Sequence, residues 1–360
     1  MQTEIAAGSG ITEAVARAVT GGPPAALVTG LDAVPANWRL SGPRLENEAV
    51  LLLATSGSTG AARGVLLAQA AIAASVAATH QRLGGPGNWV CPLPLHYVAG
   101  AMTIARAALA GSRLSVVPSD LTELPLHPGR NYLSIVAAQL HRGLDSAQIT
   151  TALAGFDAIL VGGSAVPAGL LAAGRAAGLT LIPTYGMAET CGGCVYDGRP
   201  LDGVEVDIGP DGRISLTAPM AFAGYRLDPR STAAVLHGRT LRTQDRGRFD
   251  DGRLQVLGRL DEVVISGGVN IDLGVAQRVC DDRFGPGRLV LVPVPDDRFG
   301  VRIVAATDTD LTLQQARDEL AGRLDGAAMP RELRTLSGLP RTSTGKIDRR
   351  RLAALLAEGS

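Results

Sequence analysis

Short apolar runs alternate with alanine-rich stretches up to about residue 258. Val50 to Ala54, Arg113 to Val117, Ala158 to Val161 and Leu179 to Pro183 are compact and predict buried strands. Val65 to Leu83 is longer, rich in alanine, and predicts a helix. Strands and helices taken in turn place the fold class as α/β, built in layers. From Val204 the texture changes to closely spaced short strands, Val204 to Ile208, Arg213 to Leu216 and Arg253 to Val256, punctuated by Gly and Asp. That pattern predicts a β-rich subdomain closing a large N-terminal domain, residues 1–258. Beyond Gly258-Arg259-Leu260-Asp261 the order becomes strand, turn, helix, strand (Leu289 to Val294), strand (Val301 to Thr307) and helix (Leu313 to Leu324), followed by a basic tail. Residues 263–360 therefore read as a small, self-contained α+β domain, with 259–262 as the boundary. Residues 1–45, rich in Gly, Ala and Pro, carry the weakest pattern.

Composition narrows the classes of function. The 34 basic and 34 acidic side chains balance at a pI near 7.0, which leaves no basic stripe for a phosphate backbone, so no nucleic-acid partner is expected. No run approaches the roughly 18–20 apolar residues of a spanning helix, and MQTEIAAGSG lacks the blocks of a signal peptide, so neither membrane insertion nor export is expected. Four Cys in 360 residues exclude a disulfide scaffold and suit a cytoplasmic address with reduced thiols. Among the basic residues only Lys346 is Lys; the rest are Arg. Drift toward Arg would replace Lys wherever a generic charge suffices. A lone survivor is either chance or a position that needs a compact ammonium on a thin stem.

Four blocks carry candidate chemistry. Thr55-Ser56-Gly57-Ser58-Thr59-Gly60-Ala61-Ala62-Arg63-Gly64 interleaves hydroxyls with Gly between a strand and the expected helix, which suits an anion. A tight turn explains the Gly residues but not the hydroxyls, and the Walker spacing is absent. Tyr185-Gly186-Met187-Ala188-Glu189-Thr190 follows a strand, where a carboxylate either holds Mg²⁺ or is simply solvated. Gln244-Asp245-Arg246-Gly247 leads toward Arg259 and places an Asp to accept from ribose hydroxyls. Leu339 to Arg349 is a tight turn presenting Lys346.

In this order and spacing the blocks resemble the adenylate-forming superfamily of acyl-CoA synthetases, luciferases and peptide-synthetase adenylation domains, from about Leu51 to Arg351. Pro94 to Gly100, Tyr185 to Thr190 and Ser266 to Ile271 look most like the branch of o-succinylbenzoate:CoA ligases of menaquinone biosynthesis, in their short actinobacterial form. The resemblance implies that a carboxylic acid attacks the α-phosphate of ATP and that CoA then captures the acyl adenylate. It assigns Thr55, Ser56, Gly57, Ser58, Thr59, Gly60 and Arg63 to the pyrophosphate, Glu189 to Mg²⁺ and Thr190 to the α-phosphate. Asp245 and Arg259 go to the ribose, Gly162, Gly163 and Ser164 to the adenine, and Tyr185 and Gly186 to AMP. His96, Tyr97, Arg106, Gly186 and Met187 would line the acyl pocket. Lys346 would bridge carboxylate and α-phosphate. A rotation of the mobile small domain about Asp261 would then replace it by Ser266, Gly267 and Gly268, along which pantetheine enters. The implied partners are a small carboxylic acid, ATP and CoA, with a homodimer left open.

This chain departs from the family pattern in places. Ala62-Arg63-Gly64 stands where Pro-Lys-Gly is usual, Gln244 where Gly is usual, His96-Tyr97 inverts the common aromatic-His order, and the region before the phosphate loop is short. A dicarboxylate aryl acid calls for a cation, and Arg106 falls where relatives carry one; a surface or structural Arg is the competing reading. Cys191-Gly192-Gly193-Cys194 has metal-ligand spacing without a second pair, so loop residues beside the acyl pocket are expected rather than zinc. The remaining alternatives are another aryl- or fatty-acyl-CoA ligase and a stand-alone amino-acid-adenylating domain serving a carrier protein. The latter would need a pocket Asp, and none lies between Trp89 and Arg113.

Overall fold

The computed structural model describes residues 2–30, 33–40, 45–55, 63–341 and 347–357. Among these, a first sheet orders the strands Glu4–Ala6, Ala25–Leu27, Ala49–Thr55, Arg63–Ala68 and Gly224–Tyr225. A seven-stranded sheet runs Arg199–Pro200, Gly192–Tyr196, Leu181–Met187, Ala158–Gly162, Asn131–Val136, Asn88–Cys91 and Leu114–Val116. Its strands from Leu181–Met187 onward are mutually parallel. Helices cover both faces, as a parallel sheet requires. Val98–Ala110 and Gln69–Arg82 share one core with the first sheet, while Ala137–Leu144, Ala147–Leu153 and Ala168–Ala176 lie over the other face. An antiparallel sheet of Glu205–Ile208, Arg213–Thr217, Thr240–Asp250, Leu236–His237 and Arg253–Arg259 follows. The expected β-rich segment is therefore present.

The segment expected to be helical from Val65 begins as a strand. Arg63–Ala68 pairs antiparallel with Ala49–Thr55, setting Val65, Leu66 and Leu67 against Leu53, Leu52 and Leu51, and the helix starts only at Gln69. A short apolar run fits either period, and here neighbours on both sides decide it. The strand expected at Leu179 starts at Leu181, and the helix from Leu313 stops at Leu320. The weakly patterned N-terminal stretch contains the helix Gly10–Val19 between two strands.

After the turn Leu260–Glu262 come the hairpin Val263–Ser266 and Val269–Asp272, the helix Leu273–Phe284, and a three-stranded sheet of Leu289–Asp296, Gly300–Thr307 and Glu332–Thr335. Leu289 and Leu291 face the helices Leu273–Phe284 and Leu313–Leu320, whereas Val290, Val292 and Val294 face the helix Arg349–Ala357. Alternation by two with both faces covered explains the unbroken apolar run. Asp272 joins this part to the rest. Its Oδ1 accepts from Val275 N at 3.0 Å, capping the helix, and its Oδ2 accepts from Arg246 at 2.6 Å. Among the described residues no helix is long and apolar enough to cross a membrane.

One buried ion pair ties the N-terminal segment to the first sheet. Arg226, whose side chain is fully buried, donates to Glu46 Oε2 at 2.6 Å and to Trp38 O at 2.9 Å, while Glu46 Oε1 accepts from Leu227 N at 2.9 Å. Arg226→Ala removes the donor of Glu46 Oε2 and of Trp38 O, leaving the carboxylate with Leu227 N alone and no opposite charge. The expected loss is about 3–5 kcal/mol of unfolding free energy in denaturant titration, and Arg226→Lys, lacking the planar fork, recovers only part of it.

Candidate active site

The parallel strands of the large sheet deliver the candidate residues to one edge. Asn88–Cys91 leads to His96 and Tyr97, Ala158–Gly162 to Gly163 and Ser164, and Leu181–Met187 contains Tyr185 and Gly186. Ligand sites of open α/β sheets form outside such carboxyl ends. Gly186 is needed at this edge because a Cβ there would lie 2.1 Å from Gly192 O across the hairpin.

Two hydrogen-bonded carboxylates stand at this edge. Tyr225 OH donates to Glu189 Oε1 at 2.8 Å, and the Arg63 guanidinium carbon lies 5.4 Å from the Tyr225 ring centre. Burial raises the Tyr225 phenol above its ordinary value, and Glu189's charge raises it further, so it stays a donor. Gly224–Tyr225 pairs with Val65 and Leu66, and Phe222 N donates to Glu189 O at 2.8 Å, which fixes the group from two strands. The second carboxylate is Asp245, cross-strand partner of Arg259. Its Oδ2 accepts from Tyr185 OH at 2.8 Å and its Oδ1 from Arg259 at 3.4 Å. Burial raises the Asp245 carboxyl, opposed by the Tyr185 and Arg259 contacts. Arg259 turns mainly to Asp261, with two bonds of 2.8 Å.

Other expected residues are placed as follows. Thr190 is fully buried, and its hydroxyl closes its own turn, accepting from Met187 N at 2.9 Å and donating to Gly192 O at 2.7 Å. Gly162 approaches Thr184 so closely that a Cβ would meet its hydroxyl at 2.6 Å, and Ser164 is exposed. The His96 and Tyr97 rings meet at a tilt of 50° with 4.1 Å between centres; His96 Nε2 is buried without a partner among the described residues, and burial lowers its basicity. Ser266 is buried, and Gly267 and Gly268 take φ of 56° and 82°, the left-handed pair of a two-residue hairpin turn. Met187 is half-buried at the end of its strand.

Ser56, Gly57, Ser58, Thr59, Gly60 and Lys346 lie outside the described residues. Their flanks are informative. Thr55 and Arg63 are paired across adjacent antiparallel strands, so residues 56–62 connect two strands rather than a strand and a helix, and the helix Gln69–Arg82 comes only after the second strand. Arg341 and Ile347 form an antiparallel bridge on either side of the segment carrying Lys346.

Arg106 is neither a surface residue nor a conventionally paired one. It is 4% exposed, its guanidinium carbon stands 5.0 Å from the Trp89 ring centre, and its Nε is buried without a partner. No ion pair to it occurs among the described residues. Cys191 and Cys194 are both buried, Cys191 in the turn after Thr190 within reach of the Arg106 charge and Cys194 in the strand Gly192–Tyr196. Burial pushes both thiols up to about 12, which keeps them protonated, and no cluster of three metal-ligating side chains occurs among the described residues. Sequence reading missed Tyr225: only the Gly-Tyr pair after an apolar loop hints at it, and nothing local links it to Glu189.

Glu189 suits Mg²⁺, a hard cation that takes one or two carboxylates and completes its shell with water and substrate phosphates. One of its oxygens is fixed by Tyr225, and the side chain is half-buried at a strand end.

Known proteins resemble this chain in sequence and in fold. The family model described as AMP-binding enzyme matches residues 16–225. A probable 2-succinylbenzoate–CoA ligase of Mycobacterium tuberculosis is 39% identical over 333 residues, covering 88% of this chain and 87% of the relative. The 2-succinylbenzoate–CoA ligase of Enterococcus faecalis is 28% identical, covering 83% and 68%. A structure of an Escherichia coli MenE variant with bound OSB-AMS superposes with a TM-score of 0.72 at 26% identity, covering 87% of this chain and 70% of that one. Bacillus subtilis MenE with the acyl-adenylate intermediate OSB-AMP gives 0.75 at 22% identity, with 95% and 80% covered, a likeness of fold. With more than half its length matched by one model and most of it shared with such a ligase, the chain belongs to the AMP-binding enzyme family.

Proposed function

We propose that this protein is the ATP-dependent ligase that converts 2-succinylbenzoate to its CoA thioester, releasing AMP and pyrophosphate, in menaquinone biosynthesis. The family and its relatives support the reaction. The observation that carries the choice of acid is Arg106, a buried cation with no carboxylate partner among the described residues. An apolar fatty tail would leave that charge uncompensated, whereas a second carboxylate on the substrate neutralises it.

In this reading the acid's reacting carboxylate attacks the α-phosphorus of ATP, the bond to pyrophosphate breaks, and a mixed anhydride forms. The thiolate of CoA then attacks the acyl carbon and AMP departs. Thr55 to Gly60 and Arg63 hold the departing phosphates. Asp245, oriented by Tyr185 and Arg259, takes the ribose hydroxyls, and Gly162 to Ser164 flank the adenine. Thr190 shapes the turn that presents Glu189. Mg²⁺, when bound at Glu189, neutralises phosphate charge; Tyr225 keeps that carboxylate aimed. Lys346 supplies the ammonium where charge develops on the α-phosphoryl oxygens. Residues 263–360 form the lobe that carries it and turn about Asp261, so that Ser266, Gly267 and Gly268 then meet pantetheine; one pocket serves both half-reactions.

Three outcomes are expected. Lys346→Ala lowers ATP–pyrophosphate exchange by at least ~10²-fold while preformed acyl adenylate is still converted with CoA; undiminished exchange removes Lys346 from the first half-reaction. Tyr225→Phe weakens the apparent affinity for Mg²⁺ about tenfold, read from the magnesium dependence of AMP release, because a carboxylate loses the group that orients it. Arg106→Ala raises KM for 2-succinylbenzoate far more than KM for ATP; equal increases in both make Arg106 a structural residue.

A further inference from the structure

Trp89 lies in the strand Asn88–Cys91, in the interior of the large sheet, and is fully buried. Tyr132, its direct neighbour in the adjacent strand, packs at 5.1 Å between ring centres and donates to Leu83 O and Gly85 O at 3.0 and 2.9 Å, so the aromatic pair is fixed. Arg106 arrives from the helix Val98–Ala110 and lays its guanidinium over the indole face.

Among the described residues, three ionisable groups from three elements are shifted by that guanidinium's charge, and none of the three is an anion near pH 7. His80, on the helix Gln69–Arg82, is lowered to about 4 by burial and then by Arg106's charge, so it is neutral near pH 7. The Cys91 and Cys191 thiols are raised by burial and stay protonated. A buried Arg with a structural role ordinarily has a carboxylate or several carbonyls, as Arg226 does. Arg106 has a ring face instead, which compensates charge while occupying none of its N–H donors.

We propose that Trp89 is a positioning residue for substrate recognition: its indole face holds the largely buried Arg106 guanidinium, which has no ion pair among the described residues, ready for the carboxylate of the acid that is not activated. The inference rests on the reading of Arg106 as the acid-binding cation. Without the ring's quadrupole the unliganded side chain relaxes toward water, and binding must rebury it. A carboxylate from the protein in the same place would hold Arg106 equally well and block the substrate.

Site-specific replacement of Trp89 by tryptophans carrying one to four ring fluorines tests this, because fluorine weakens the ring face with almost no change of shape. Calorimetric affinity for 2-succinylbenzoate is expected to fall stepwise along the series, reaching about tenfold, with KM for ATP moving far less. In an Arg106→Ala background the series goes flat. Unchanged acid affinity along the series, in a protein where Arg106→Ala does weaken the acid, overturns the role of Trp89 and leaves Arg106 in place. A stepwise fall that persists without Arg106 also overturns it, since the ring then acts on the acid directly. If Arg106→Ala itself leaves acid affinity unchanged, the underlying reading of Arg106 fails instead.

Discussion

Strand register in the first sheet is the constraint on which the site depends. Arg63–Ala68 lies between Ala49–Thr55 and Gly224–Tyr225, and the pairs Thr55 with Arg63 and Val65 with Tyr225 set three separate stretches of chain at one corner. A slip of one residue would turn every side chain of that strand to the opposite face. Leu51, Leu52 and Leu53, all fully buried, make such a slip costly, because they interlock with Val65, Leu66 and Leu67. The apolar interior thus sets the distance from Arg63 to Tyr225 and the aim of Tyr225 at Glu189. Arg226, next in the chain, secures the same strand from the other side through Glu46.

Much of this was legible in the sequence, and the failures have physical causes. Strands buried on both faces, such as Ala158–Gly162 and Leu289–Asp296, announce themselves as apolar runs. The β-rich segment after Val204 does so through its Gly and Asp punctuation. Val65 to Leu67 is where periodicity misleads, because three apolar residues ahead of an alanine-rich helix share its composition and only the partner strand separates them. Asp245 and Arg259 could be placed together as the two arms of a hairpin. Tyr225 and Trp89 could not be found the same way, for their meaning lies in contacts with Glu189 and Arg106 across large sequence separations.

Buried charge divides here into two kinds. Arg226 is matched by Glu46 and by backbone carbonyls, so its charge belongs to the fold. Arg106 is held by packing and by an aromatic face, with no ion pair among the described residues, which is why its charge is proposed to serve the substrate. Both are 4% exposed, Arg106 beside Trp89 and Arg226 beside Trp38 in a separate apolar cluster. The environment of each, rather than the residue type, decides which is architecture and which is chemistry.

Asp272 shows a comparable division within one side chain. One oxygen caps the helix Leu273–Phe284 and the other reaches Arg246. The first contact is local to the C-terminal segment and travels with it; the second crosses to the rest of the protein. Arg278 makes a second crossing, donating to Leu257 O, so the proposed swing about Asp261 would release both contacts while the helix keeps its terminus closed. In the proposed rotation the lobe would move as a preformed body, its helix cap intact.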